Sequence, residues 1–139
     1  MIRKAKETDL VKIYQLCEQY QSDFRKLFFL EQELNNSYAI LLVEEEKNNI
    51  VSFILAHDFE DNLDILFFIV DKNYQNKGFG SKIMQYFVDN YAINNKTITL
   101  EVAKDNINAL KLYTKFNFKE VYVREGYYNG VDAIIMRRE

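Results

Sequence analysis

Residues 63–70 read Leu-Asp-Ile-Leu-Phe-Phe-Ile-Val, an apolar run broken only by Asp64, and a loop with two closely spaced glycines follows it. The run is far too short for a membrane span, and its aromatic and β-branched content reads as a buried, central β-strand. Past the polar stretch 72–77, Phe79, Ile83, Phe87 and Tyr91 recur at helical spacing, marking a helix to about residue 93. A central strand joined by a short loop to an amphipathic helix requires a sheet with helices packed on it. The fold class is α/β.

The remaining pattern supplies the other elements. Residues 2–4 form a short strand, and Thr8 is placed to N-cap a helix striped by Leu10, Ile13, Tyr14, Cys17 and Tyr20. Residues 24–34 read as a second helix. Residues 38–43 and 50–56 read as strands joined through the polar stretch 44–49 as a hairpin. Residues 97–102 alternate as a strand, and Asp105 or Asn106 can cap a helix carrying Ala109, Leu112, Tyr113 and Phe116 on one face. Residues 118–124 and 131–137 form the last two strands, with Asn129-Gly130 suited to a tight turn of positive φ. Proline is absent, so Asn, Gly and Asp must make the turns. The order is β-α-α-β-β-β-α-β-α-β-β, a mixed sheet without the alternation of a doubly wound fold.

A chain of 139 residues suits one domain, 1–139, and can bury a core without a disulfide or metal staple. Its 48% hydrophobic and 15% aromatic content excludes intrinsic disorder. A net charge of −3 argues against direct nucleic-acid binding and suits a cationic partner. One cysteine and one histidine make neither an internal disulfide nor a His/Cys zinc site, and no metal is expected. The first residues lack a hydrophobic signal core, so a soluble, cytoplasmic protein with no membrane partner is expected.

Taken by themselves, the chemistry-bearing residues each carry two readings. Gly78 and Gly80 can leave N–H groups free at a helix N-terminus, which favours an anion, or can simply form a turn. The loop lacks both the Lys-Ser/Thr ending of a Walker loop and the third glycine of a dinucleotide fingerprint. Cys17 lies on an apolar stripe, which favours packing over nucleophilic attack. His57 ends a strand with no evident partner, as a surface or capping residue or a general base. Glu101 is a solvent-facing strand carboxylate or a base, and Tyr113 is a core residue or an acid. Lys77 and Lys82 are solvated cations or phosphate contacts, and Tyr127-Tyr128 could merely pack a hairpin.

In its setting between strand and helix, Gln75-Asn76-Lys77-Gly78-Phe79-Gly80 resembles the pyrophosphate loop of the GNAT acetyltransferases, which bind acetyl-CoA. A second block resembles the same superfamily: Leu100-Glu101-Val102, Asn106, Ala109, Leu112-Tyr113 and Phe116-Asn117-Phe118. The ending Gly126-Tyr127-Tyr128, then Asp132-Ala133-Ile134-Ile135-Met136, is similar to the bacterial ribosomal-protein alanine N-acetyltransferases of RimI type. The resemblance covers most of the chain, is strong from residue 66 onward and weak over 22–34. Three departures stand out. Asn117 replaces a usual glycine, and Asn tolerates the left-handed conformation best after Gly. Lys26-Leu27-Phe28-Phe29 replaces a Pro-Trp pair near the acceptor site, and Ile69 replaces a commonly small residue.

The resemblance implies a GNAT fold: a mixed, mostly antiparallel sheet, splayed at its middle and flanked by helices, with 66–70 and 97–102 neighbouring and roughly parallel. It implies acetyl-CoA as donor, held by Phe68, Ile69 and Val70 of the strand and by Gln75, Asn76, Lys77, Gly78, Phe79, Gly80 and Ser81 of the loop. Asn106 would add a hydrogen bond, with helix capping an equal claim on it. Glu101 is implied as general base, Tyr113 as the acid for the departing thiolate, and transfer as direct attack in a ternary complex. Tyr127, Tyr128 and Asp64 would meet the acceptor, with Asp61, Glu125 and Asp132 as further acidic candidates. The implied acceptor is the N-terminal Ala of a small-subunit ribosomal protein. The rival readings are a small-amine or polyamine acetyltransferase and a non-catalytic CoA-binding interaction module.

Overall fold

The apolar run 63–70 lies within the middle strand of a seven-stranded sheet. The structure, a computed structural model, describes residues 1–20 and 26–139, without the side chains of 26–28. Along the chain come β1 (Ile2–Lys4), α1 (Leu10–Glu18), α2 (Lys26–Leu34), β2 (Ala39–Glu46), β3 (Asn49–Asp58) and β4 (Asn62–Val70). They are followed by α3 (Phe79–Tyr91), β5 (Thr97–Ala103), α4 (Ile107–Lys115), β6 (Lys119–Tyr128) and β7 (Val131–Arg138). In space the strands run β1-β2-β3-β4-β5-β7-β6, antiparallel except for β4 and β5. The order of elements is the one expected from the pattern of the sequence.

Alternation along the strands sends side chains to two cores. On one face Leu42, Ile54, Leu63, Ile98, Leu100, Val102 and Met136 bury against Ile83, Met84 and Phe87 of α3 and Tyr113 of α4. On the other, Val43, Phe53, Leu55 and Ile69 meet Leu10, Ile13, Leu16 and Cys17 of α1 and Leu30 of α2. Cys17 is thus a packing residue, 1% exposed.

The sheet opens at its middle. β4 and β5 share only three parallel pairs, Asn62 with Thr97, Leu63 with Ile98 and Asp64 with Thr99. Beyond them β4 carries an extra residue: β3 pairs Ala56 with Ile65 and Leu55 with Phe67, so Leu66 bulges. From that bulge onward no pair joins the two strands. Their facing backbone edges diverge, as the resemblance implies.

Several local expectations shift. Thr8 does not cap α1: it lies inside a short 3-10 turn, Glu7–Asp9, and is exposed. Asp9 takes over the turn, its carboxylate accepting from the Lys6 N–H at 2.7 Å and pairing with Arg3 at 2.7 Å. That guanidinium holds the Asp9 carboxyl below the usual range. The β2–β3 hairpin is tighter than the polar stretch 44–49 suggests, because the strands run on to Glu46 and from Asn49. Lys47 and Asn48 both take positive φ, as a two-residue turn requires. Glu44 is a buried strand residue, 3% exposed, accepting from Ser52 Oγ at 3.2 Å. The start of the second helix, 24–25, lies outside the described residues.

The C-terminus of α4 bears on the site directly. Asn117 has φ +71; its N–H reaches Thr114 O at 3.0 Å, and the Phe118 N–H reaches Tyr113 O at 3.0 Å. This is the paired 6→1 and 5→2 pattern of a left-handed helix stop. The Phe118 ring packs 5.7 Å from that of Tyr113, so the stop also orients the tyrosine. Asn117→Gly should leave stability unchanged or slightly raised. Asn117→Val should lower it by about 1–2 kcal/mol, the cost of a branched residue in this conformation. Urea denaturation of the three proteins reads the difference.

Candidate active site

The site is built where β4 and β5 part. Along β5, buried Ile98, Leu100 and Val102 alternate with half-buried Thr97, Thr99 and Glu101, so Glu101 lies on the face opposite α3 and α4. A polar zipper closes the paired end. Thr97 Oγ1 donates to Asn62 Oδ1 at 2.6 Å, Asn62 Nδ2 to Thr99 Oγ1 at 3.0 Å, and Thr99 Oγ1 to Asp64 Oδ1 at 2.9 Å. Asp64 therefore borders the splay on the face of Glu101.

Glu101 is held from the β6–β7 hairpin. Tyr128 donates its hydroxyl to Glu101 Oε1 at 2.9 Å, and Arg124 Nε lies 3.5 Å from Oε2. Burial and then the Glu101 carboxylate push the Tyr128 phenol well above its ordinary range, so it stays protonated and donating. Tyr127 packs edge-on against Tyr128, ring centres 5.1 Å apart, and carries the Arg124 guanidinium on its face at 5.4 Å. The hairpin has the expected Asn129-Gly130 turn, both residues at positive φ. Asp132 accepts from the Gly126 N–H at 2.9 Å, so its carboxylate serves the turn.

Tyr113 approaches from the opposite core. It is 6% exposed, flanked by Phe68 at 5.9 Å and Phe118 at 5.7 Å. Burial raises its pKa, and the nearby Tyr128 phenol adds to the rise. Its hydroxyl has no hydrogen-bond partner among the described residues. A buried phenol without a partner costs roughly 1–3 kcal/mol, and residues kept at such a cost concentrate at functional sites. Packing and an unspent donor coexist here.

At the far end of β4 the loop before α3 gathers backbone donors. Asn76 and Gly78 take φ of +60 and +87, and Gly78 is the N-cap of α3. Residues of alternating handedness ahead of a helix turn successive N–H groups toward one point, a cradle for an anion. Lys77 lies over the Tyr74 ring at 5.7 Å, Lys82 over Phe79 at 5.4 Å, and Ser81 accepts from Lys115 Nζ at 3.3 Å. Ser81, Lys82, Lys115 and Arg138 line a cleft of about 520 Å³ between α3 and the end of α4. It has no acidic lining residue, in a chain of net charge −3. Asn106 caps α4, its Oδ1 accepting from the Ala109 N–H at 3.2 Å.

Three participants carry no signature in the sequence. Tyr20, read as the end of an apolar stripe, donates to Val70 O at 2.6 Å and accepts from Gln75 Nε2. Gln19 beside it accepts from the Lys72 N–H at 3.0 Å, so the residues just past α1 hold the segment that leads from β4 into α3. Arg124 at the carboxylate is the third. His57 is not without a partner: Nε2 lies 2.5 Å from Glu33 Oε2, and Tyr38 and Phe59 box its ring. It sits two strands from Glu101, with its ring engaged elsewhere. Among the described residues no cluster of His, Cys, Asp and Glu could hold a metal, and no helix is long and apolar enough to cross a membrane.

A splayed parallel pair, a glycine loop at its open end, and a carboxylate and a buried phenol on its two faces are the features that the sequence resemblance implies together. Residues 7–118 match the Acetyltransferase (GNAT) family, and the chain belongs to it. Among curated proteins it is 38% identical over 72 residues to the N-alpha-acetyltransferase RimI of Mycobacterium tuberculosis, covering 50% of this chain and 44% of the relative. It is 35% identical over 72 residues to the [Ribosomal protein bS18]-alanine N-acetyltransferase of Escherichia coli, covering 48% and 49%. A probable spermine N(1)-acetyltransferase of Bacillus subtilis subsp. natto is 37% identical over 54 residues, covering 37% and 36%. The matches thus span about half the length of these relatives, or less. The crystal structure of the E. coli S18-alanine N-acetyltransferase superposes with a TM-score of 0.89 at 23% identity, covering 99% of this chain and 91% of that one. The fold is the GNAT fold.

The loop yields a direct check. A Cβ on Gly80 would already touch Leu112, Phe68 and Val70 at 3.5 Å, and Gly78 needs its positive φ. Gly80→Val and Gly78→Val should each weaken acetyl-CoA binding about tenfold or more by calorimetry, while far-UV circular dichroism stays native. Undiminished affinity in both variants would remove the anion cradle from the site.

Proposed function

We propose that the protein is an acetyl-CoA-dependent N-acetyltransferase that acetylates the α-amine of a protein N-terminus in the cytoplasm, with Ala of a small-subunit ribosomal protein as leading acceptor. The observation that carries this reading is the placement of Glu101 and Tyr113 on opposite sides of one strand gap, linked through Tyr128. The residues fit the donor. The cradle at 76–80 suits its pyrophosphate, the cationic cleft its phosphorylated adenosine, and the unpaired edges of β4 and β5 its amide-bearing arm.

The proton account closes without an acyl-enzyme. Glu101 takes one proton from the acceptor's ammonium, freeing the nitrogen lone pair. The C–N bond forms as the C–S bond breaks. Tyr113, held protonated by burial, gives its proton to the thiolate and regains one from the nitrogen. Glu101 releases its proton to water.

An α-amine with an ordinary pKa near 8 is easier to deprotonate than a lysine side chain near 10.4, by roughly 3 kcal/mol. A single carboxylate therefore suits the α-amine better. The similarity to relatives named for bS18 alanine and N-alpha-acetylation supports the same choice. A polyamine acceptor is the second reading. It draws on the carboxylates Asp64 and Glu101 on one face and on the relative named for spermine.

A screen decides between them: free Ala-initiated basic peptides, their N-acetylated copies, lysine peptides and spermidine, each with acetyl-CoA and thiol detection. The Ala peptide should react fastest and its acetylated copy not at all. Faster acetylation of spermidine or an internal lysine would transfer the assignment to small amines, and no thiol release with any amine would leave only a CoA-binding module. Glu101→Gln should lower kcat by about a hundredfold or more. Tyr113→Phe should lower kcat at least tenfold yet raise the melting temperature, because it removes a buried hydroxyl without a partner. Near-normal turnover in both would dismiss the acid–base pair.

A further inference from the structure

Glu101 has two carboxylate oxygens, and both are engaged in different ways. Oε1 accepts a 2.9 Å hydrogen bond from Tyr128, a phenol kept protonated by burial and by Glu101 itself. Oε2 faces the Arg124 guanidinium at 3.5 Å, an ion pair too long for a good hydrogen bond. The Arg124 side chain is 49% exposed, and its other contact is the face of Tyr127. One oxygen is therefore firmly held and the other loosely covered.

A base must come within hydrogen-bond reach of the proton it takes. With one lone pair of Oε1 taken by Tyr128, Oε2 is the oxygen without a firm hydrogen bond and the more open to an ammonium, and Arg124 already faces it. A guanidinium neither gives up nor accepts a proton near neutral pH, so it is an inert occupant of a cation position. We propose that Arg124 is an internal counter-cation of Glu101 that the acceptor's ammonium displaces on binding. This rests on the reading of Glu101 as the base. Arg124 keeps its place on the face of Tyr127 and gives up only the carboxylate as the ammonium arrives, so the total charge at the carboxylate stays balanced. It returns once Glu101 has shed its proton to water. Arg124 is a positioning and gating residue, and it sets a threshold: an amine must bring further contacts to displace it.

The test uses the protein loaded with CoA instead of acetyl-CoA, so that binding is measured without turnover. The probes are an Ala-initiated basic peptide, its N-acetylated copy and spermidine, titrated calorimetrically into wild type, Arg124→Met and Arg124→Lys. Removing a loose, exposed ion pair should tighten binding of the free amines about two- to fivefold in Arg124→Met. The acetylated copy should bind all three alike, and Arg124→Lys should stay near wild type. In a Glu101→Gln background, Arg124→Met should cause no tightening. Weaker, unchanged or undetectable amine binding in Arg124→Met overturns displacement, as does equal tightening of the acetylated copy. Turnover by Glu101→Gln tests the base separately. If that variant stays active while Arg124→Met still tightens amines only when Glu101 is present, the chemistry fails and the displacement stands.

Discussion

The structure depends on two parallel strands that cannot stay together. Three pairs hold β4 to β5, and a single extra residue at Leu66 then turns β4 away. Everything functional follows from managing that separation. The closed end carries a chain of side-chain hydrogen bonds through Thr97, Asn62, Thr99 and Asp64, which compensates for so few backbone contacts. At the open end no backbone pair joins β4 to β5, and the Val70 carbonyl accepts instead from Tyr20. A long, amide-bearing molecule can serve as the missing strand between them.

The gap lies between groups from the two faces of the sheet. Tyr113 belongs to the layer beneath α3 and α4, whereas Glu101 lies on the face of α1 and α2. A fully paired sheet would keep the two apart. Tyr128 bridges them from the edge hairpin by touching Glu101 and influencing the Tyr113 phenol. The helix stop at Asn117 and the Phe118 ring give Tyr113 a fixed direction. Tyr113 thus takes its orientation from core packing, whereas Arg124, Tyr127 and Tyr128 stand on an exposed hairpin.

Legibility in the sequence followed the range of each interaction. The order of elements, the Gly78-Phe79-Gly80 loop, the left-handed Asn117 and the Asn129-Gly130 turn all declare themselves through local periodicity or φ preference. The roles proposed for Glu101 and Tyr113 come from the resemblance alone, since a strand carboxylate and a stripe tyrosine look ordinary by themselves. Residues paired across long separations were not legible at all: Glu33 with His57, Tyr20 with Val70, Arg124 with Glu101. Thr8 misled for a related reason. A hydroxyl before an apolar stripe is a good cap locally, but the Asp9 carboxylate, anchored by Arg3, reached the backbone first.

The turns have a consequence in time rather than space. Where other chains use proline to fix a bend, this one has none, and Asn48, Asn76, Asn94, Asn95, Asn117 and Asn129 sit at positive φ instead. Such a residue reaches its native angle by rotation about single bonds, in far less than the tens of seconds that a prolyl bond needs to isomerise. After denaturation the chain holds no population waiting on that slow step. The pace of refolding then falls to the most distant closures in the sheet, Ile2 of β1 with Glu44 of β2 and Ile98 of β5 with Arg138 of β7.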